Sequence, residues 1–263
     1  MRELYTYRRS SVHQLDARVK LVFALAFVIC LSLTPYRAWP AYVLFLAVSL
    51  SAALLSHLGI PFVLKRALLA APFFLAAAPL VFTGPPPHVP VALLPGLQMA
   101  YSPEGAGRVA SIAIRSWIAV QAAIILAATT RFSDLLLAMQ QLKVPKLFVA
   151  IIGLMWRYLF VISDEVVCML RARASRSATA PGTHRAGGTL YWRAQVAGGM
   201  AGSLFIRSLE RADRVHAAML SRGYTGSLPP SEAVPLDAGG WRALFLGLCL
   251  LALLWLLGLL TGG

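Results

Sequence analysis

Two arginine tripeptides are the residues in this sequence whose type and spacing best suit a specific polar contact. Each closes a long helical pattern, one ahead of a Pro-Gly stop signal and the other at a glycine. The helix macrodipole favours an arginine at a helix C-terminus, which explains both in plain structural terms. The functional explanation is that the planar guanidinium binds a partner's carboxylate bidentately, as lysine would not. The tripeptides are Ser175, Arg176 and Ser177, and Ser221, Arg222 and Gly223.

Residue types that support catalysis or metal binding are scattered along the chain. The 10 acidic residues are dispersed, which argues against a membrane-embedded enzyme that transfers a phospho-alcohol through clustered metal ligands. No glycine-rich G-x-x-x-x-G-K-[ST] loop occurs, so the chain is not expected to hydrolyse ATP. The 5 histidines and 3 cysteines lack the spacings of metal sites. We therefore expect no catalytic residue, no metal ligand and no cofactor.

The composition is that of a membrane protein. Of the 263 residues, 59% are hydrophobic and 13% charged, against about 45–50% and about 25% in soluble domains. The mean hydropathy of +0.72 excludes a soluble globular protein and also a disordered basic tail. The net charge of +14 therefore indicates membrane topology and not a nucleic-acid partner.

Several apolar segments approach the length of about 20 residues that a membrane-spanning helix needs. Pro72 and Pro79 predict a kink in the third of them. A further apolar segment, 147–163, contains Arg157, and an arginine within the membrane costs at least about 2.5 kcal/mol. We therefore favour a helix at or below the membrane surface there. The expected spans are 19–33, 41–55, 67–81, 109–128 and 244–260.

Basic residues predict the orientation of these spans. Arg18 and Lys20 lie at the start of the first span, Lys65 and Arg66 lie between the second and third, and residues 83–107 contain no Lys or Arg. By the positive-inside rule the N-terminus is cytoplasmic. Residues 131–222 carry 13 basic and 5 acidic residues and are expected in the cytoplasm as well. The chain is thus expected to cross a bacterial inner membrane several times.

The charge pattern divides the chain into three parts. Residues 1–130 are expected to hold four transmembrane helices, 131–226 a cytoplasmic helical domain, and 227–263 a linker and the last span. In the middle part we predict a short helix capped by Ser133, a long helix from about 146 to 177 and another from about 190 to 222.

The last of these helices has two distinct faces. Arg207, Arg211 and Arg214 lie opposite an apolar face, and the arginine face suits either a solvated surface or a contact with another part of the assembly. A stripe of small residues further upstream would let another helix cross at close range. The stripe consists of Ala194, Gly198 and Gly202.

The ordered set of motifs resembles the transmembrane T component of energy-coupling factor transporters, in the CbiQ-type branch associated with cobalt uptake. The resemblance extends from His13 to the last span. The motifs are Ser11-x-His13-x-Leu15-Asp16-x-Arg18-Val-Lys20-Leu21, Arg157-Tyr158 with Glu165, Arg171-x-Arg173 with the first tripeptide, Arg207-x-x-Glu210-Arg211, and Ala217 to Gly226 around the second tripeptide.

The resemblance implies an all-α membrane protein of about five transmembrane helices, with long crossing coupling helices inserted before the last span. In that family an arginine at the end of each coupling helix docks on one of two ATP-binding cassette subunits. Arg176 and Arg222 match these arginines, and their neighbours Ser175, Ser177, Ser221 and Gly223 would shape the helix ends. Ser replaces the usual alanine in both motifs, and Ser177 replaces glycine.

The implied partners are two ATPase subunits, the lipid bilayer and a separate substrate-binding membrane subunit, CbiM-like, which would hold the metal. Arg207 and Arg211 would support the crossing of the coupling helices. Two alternatives remain open. The chain could be a self-contained permease, for which Arg115 is the main intramembrane polar candidate, or a T component that serves nickel or a vitamin.

Overall fold

The described residues form helices apart from one short β-hairpin. A computed structural model describes residues 10–68, 72, 79–83, 89–94, 97–176, 189–226 and 237–262. The strands pair antiparallel, with Val89 opposite Tyr101. The elements are α1 Ser11–Gln14, α2 Ala17–Leu33, α3 Trp39–Leu55, α4 Ile60–Ala67, α5 Leu80–Thr83, β1 Val89–Leu94, β2 Leu97–Tyr101, α6 Pro103–Thr129, α7 Phe132–Gln141, α8 Lys146–Arg176, α9 Leu190–Ser221 and α10 Ala238–Gly262.

The chain divides into two compact units. One comprises residues 2–142 and 233–263, and the other residues 143–232. The first contains α1 to α7, the hairpin and α10, whereas the second contains α8 and α9.

This is an all-α membrane protein, and four of the five expected spans correspond to α2, α3, α6 and α10. Among the described helices, α6, α8 and α10 are long and apolar enough to cross a membrane, and α3 is a shorter apolar helix. The expected third span, 67–81, lies largely outside the described residues. The composition of α8 also suits a span, so its location at the membrane surface stays a prediction.

Two sequence expectations differ from the structure. The hairpin was not predicted, because it lies within a proline-rich stretch whose pattern suggested only a connection. Ser133 does not cap α7: the helix begins at Phe132 after Arg131, which makes no side-chain cap hydrogen bond. Ser133 therefore falls within the first turn, where its hydroxyl lies 3.4 Å from Asp134 Oδ1.

Aromatic and aliphatic side chains from α2, α3, α6 and α10 form the core of the first unit. Phe27 and Phe45 meet edge to face with ring centroids 5.4 Å apart. The approach of α10 is close: a Cβ built at Gly258 would lie 2.9 Å from Thr34 Cγ2. Glycine thus permits helix packing that a larger residue would prevent, a common device in membrane bundles.

Polar side chains in the first unit connect helices to one another. Arg115 donates to the Tyr42 hydroxyl from Nε at 2.8 Å and from Nη2 at 2.6 Å, and from Nη1 to the Ser32 carbonyl at 3.2 Å. Ser49 and Gln121 are both buried, and the Ser49 hydroxyl donates to Gln121 Oε1 at 2.9 Å. Arg115 is therefore an interhelical contact, and Gln121 is a second intramembrane polar residue that the sequence analysis missed.

Candidate functional site

Among the described residues of the second unit, the Glu165 carboxylate joins the two long helices. Glu165 on α8 accepts a hydrogen bond from Arg211 Nη2 on α9 at 3.0 Å, and Arg207 Nη1 lies 3.6 Å from its other oxygen. The Glu165 side chain is only 18% exposed, so water screens these charges less than at an open surface. The arginine face of α9 thus contacts α8 at these two positions.

The two arginine tips lie on opposite sides of this ion-pair cluster. Arg176 is 11 residues beyond Glu165, and Arg222 is 11 residues beyond Arg211, which corresponds to about 16 Å of helix in each case. Arg176 lines a cleft together with Trp192, near the start of α9. Glu165 lies beside Arg211 and Arg176 near Trp192, so the two helices run in opposite directions and form an ion-paired helix pair. The arms of this pair, measured from the ion pair to each arginine, have the same length in residues.

The serine that precedes each arginine makes the same local contact. The Ser175 hydroxyl donates to the Ala172 carbonyl at 2.9 Å, and the Ser221 hydroxyl donates to the Ala218 carbonyl at 3.0 Å. The shared departure from alanine therefore gives both arginines a neighbour that makes the same bond to a carbonyl three residues earlier.

The end of α9 is fixed by a left-handed glycine. Gly223 has φ +78°, its N–H donates to the Leu220 carbonyl at 2.9 Å, and the Tyr224 N–H donates to the Met219 carbonyl at 3.0 Å. This pair of bonds is the Schellman arrangement, which satisfies the last carbonyls of a helix. The predicted cap at Gly223 is present, and it holds the backbone of Arg222 in one position.

We expect Gly223→Ala to loosen this helix end. A Cβ in the left-handed region costs roughly 1–2 kcal/mol, so amide hydrogen exchange at Tyr224 should rise about 5- to 30-fold. Gly223→Asn should have a smaller effect, because asparagine tolerates this conformation. Gly107→Ala in α6 is the control, since a Cβ there meets no atom within 4 Å. Unchanged exchange in Gly223→Ala would contradict the assignment.

The other expected site residues make none of the contacts described above between α8 and α9. Ser177 lies outside the described residues. A Cβ built at Gly198 or Gly202 would meet no atom within 4 Å, so α8 does not approach the small-residue stripe that includes Ala194. Its use by a crossing helix stays a prediction.

A positively charged cleft opens between the C-terminal half of α8 and the N-terminal half of α9. It has a volume of about 630 Å³, and Arg173, Arg176 and Arg207 line it. None of its lining residues, all from the described part of the second unit, is acidic. The apolar face of α9 is also uncovered, with Phe205 65% and Leu209 52% exposed. Both surfaces have the chemistry of contact sites.

No metal centre is formed by the residues that the structure describes. Among them, no group of three or more His, Cys, Asp or Glu side chains is placed to hold an ion. The polar chemistry of the second unit is therefore that of guanidinium groups and their carboxylate partners.

Comparison with known proteins gives a consistent picture. The family model described as CbiQ, cobalt transport protein, matches residues 8–236. An uncharacterised protein of Methanocaldococcus jannaschii is 26% identical over 86% of the chain and 75% of its own length. The cobalt transport protein CbiQ of Rhodobacter capsulatus is 28% identical over 48% of the chain and 49% of its own length.

A further relative is a putative fused cobalt transport protein, CbiMQ, of Methanocorpusculum labreanum. It is 30% identical to this chain over an aligned segment. That segment makes up 47% of this chain and 19% of the relative's length. The family match spans most of the chain and includes both arginine tips and the residues that cross between them. The chain therefore belongs to the CbiQ family of cobalt transport proteins.

Proposed function

We propose that the chain is the non-catalytic transmembrane coupling subunit of an energy-coupling factor importer for Co²⁺. The observation that carries this function is the ion-paired helix pair, in which Arg176 and Arg222 end helices that an ion pair joins at Glu165. Two equivalent cationic tips suit two copies of an acidic site, as a pair of identical ATPase subunits would offer. Each tip would bind a carboxylate of one ATPase bidentately.

The ion-paired helix pair can convert a change in the distance between two ATPases into a movement within the membrane subunit. When ATP binding draws the ATPases together, the tips follow and α8 and α9 rotate about the Glu165 contact. Helices remain rigid over this length, so the displacement reaches the rest of each helix. The exposed apolar face of α9, with Phe205 and Leu209, would transmit it to the substrate-binding subunit.

Family membership and charge distribution support the remaining parts of the proposal. The name of the fused relative joins CbiM and CbiQ in one chain, which favours a CbiM-like partner that binds the metal. The basic residues near α2 and in residues 131–222 favour a cytoplasmic N-terminus in the bacterial inner membrane. Nickel or a vitamin remains an alternative cargo, because the substrate would be chosen by the partner.

A self-contained permease is the alternative from a different class. It would need intramembrane polar groups available to a substrate. Arg115 is instead bound to Tyr42 and the Ser32 carbonyl. These contacts hold helices together, which favours the coupling function.

Affinity purification of the tagged full-length chain from its native membranes tests the proposal. We expect two ATP-binding cassette subunits and a small membrane subunit to co-purify, and the reconstituted complex to take up ⁵⁷Co²⁺ only when ATP is supplied. The purified chain alone should neither hydrolyse ATP nor transport the ion. ATP-independent uptake by the chain alone would overturn the proposal in favour of a permease.

A further inference from the structure

The segment around the start of α2 forms a structure that the coupling function does not use. Asp16 accepts a hydrogen bond from the Arg18 backbone N–H at 3.0 Å and so caps α2. Lys20 Nζ donates to the His13 carbonyl at 3.0 Å and to the Thr129 carbonyl at 3.3 Å. These contacts bring α1, the start of α2 and the end of α6 together.

A polar pocket of about 240 Å³ lies at this junction, bounded also by α7. The lining contains two basic residues, Arg18 and Lys20, and two acidic residues, Asp16 and Asp134, so their formal charges sum to zero. Thr130 lines the pocket and is 4% exposed, and its buried Oγ1 has no hydrogen-bond partner among the described residues. The four charged groups are what the pocket offers a ligand, and they suit a molecule that carries both a positive and a negative charge.

The pocket continues into an apolar groove. The groove has a volume of about 320 Å³ and lies between α2, α3, α6 and α10. Leu15, Lys20 and Thr129 line both cavities. Its wall is otherwise almost wholly apolar and includes Phe23 and Leu126. The two cavities together suit an amphiphile with its polar end in the pocket and a hydrocarbon chain in the groove.

We propose that this site binds one phospholipid whose headgroup carries both a phosphate and a primary ammonium, as in phosphatidylethanolamine. Two of the three Lys20 N–H donors are used by carbonyls, and the third meets the phosphate. The ammonium lies between Asp16 and Asp134, and one acyl chain fills the groove.

The balance of charge sets the specificity of the site. Phosphatidylglycerol would bring an uncompensated negative charge to Asp16 and Asp134. Phosphatidylcholine has a quaternary ammonium, which offers no N–H to either carboxylate. A hydrogen bond to a charged group contributes about 1.5–3 kcal/mol, so the preference for phosphatidylethanolamine should be at least about tenfold.

Native mass spectrometry of the full-length chain tests this assignment. The chain is reconstituted in vesicles of equal parts phosphatidylethanolamine, phosphatidylglycerol and phosphatidylcholine, then released in mild detergent. We expect one phosphatidylethanolamine to be retained, with at least about tenfold preference. Asp134→Asn should reduce the preference over phosphatidylcholine, because only Asp16 then remains as a charged acceptor, whereas Asp213→Asn, at an exposed carboxylate on α9, should keep it.

Two further measurements separate the headgroup from the chain. Ser51→Phe should fill the groove and reduce retention of all three lipids, whereas Leu54→Phe, at an exposed α3 position outside the lining, should not. Soluble glycerophosphoethanolamine should not displace the bound lipid, because it lacks acyl chains. Equal retention of the three lipids, preference for phosphatidylglycerol, no retained lipid, or an unchanged preference in Asp134→Asn would each overturn the proposal.

Discussion

Reversing the charge at both arginine tips, Arg176→Glu with Arg222→Glu, is expected to abolish ATP-driven uptake by releasing both ATPase subunits. Removing one partner of a buried, hydrogen-bonded charge pair costs at least about 2 kcal/mol, or about 30-fold in affinity. Glutamate adds repulsion from the acidic site that the arginine would have bound. Each single reversal should release one ATPase and leave the other bound.

Replacement by lysine separates charge from geometry at the same positions. Arg222→Lys keeps the positive charge but loses the planar pair of donors, so ATPase retention should be intermediate between wild type and Arg222→Glu. The matched control is Arg214→Glu. Arg214 is 70% exposed, and its ion pair with Glu210 is weak because the two charged atoms are 4.0 Å apart. This control should retain both ATPases. Wild-type ATPase retention in the double reversal would contradict docking by the tips.

The helix ends were predictable because their signals are local. A glycine after the last periodic residue predicts a left-handed cap, and Gly223 has this conformation. Serine before each arginine acts on a carbonyl three residues earlier, within one turn. These features depend on sequence neighbours, so a single sequence contains them.

The ion pair between the two long helices was not predictable in the same way. Glu165 and Arg211 are 46 residues apart, and no periodicity indicates which acid meets which arginine. Lys20 likewise reaches Thr129 across 109 residues. Gln121 was overlooked because a lone amide barely changes the hydropathy of a span, although it is fully buried against Ser49. Tertiary contacts of this kind depend on how helices pack.

The hairpin was missed for a different reason. Proline disfavours strands because it lacks a backbone donor, and Pro90 lies within β1 opposite Ala100. A two-stranded ribbon tolerates proline where its nitrogen faces away from the partner strand. The proline content therefore argued against strands here, although an edge strand such as β1 can contain a proline.

Neutralising Glu165 should uncouple ATP hydrolysis from uptake while the ATPases stay bound. Glu165→Gln preserves the size of the side chain but removes the charge shared by Arg207 and Arg211. Neighbouring residues in one network interact by about 0.5–3 kcal/mol, which corresponds to a loss of about 2- to 150-fold in uptake per ATP hydrolysed. The tips lie about 16 Å away along each helix, so ATPase co-purification should be unchanged.

A charge exchange distinguishes a pivot from a general loss of stability. Glu165→Arg combined with Arg211→Glu restores one opposite-charge pair, so we expect it to recover part of the uptake per ATP that either single change loses. Glu210→Gln is the control, because its pair with Arg214 is exposed and lies within α9. If Glu165 is a pivot, the ratio of uptake to ATP hydrolysis should fall when the charge pair is broken and rise when it is restored. The thermal unfolding temperature and ATPase binding should stay constant in the same variants. Loss of bound ATPase in Glu165→Gln, or an unaltered ratio, would show that Glu165 is not the point about which the helices turn.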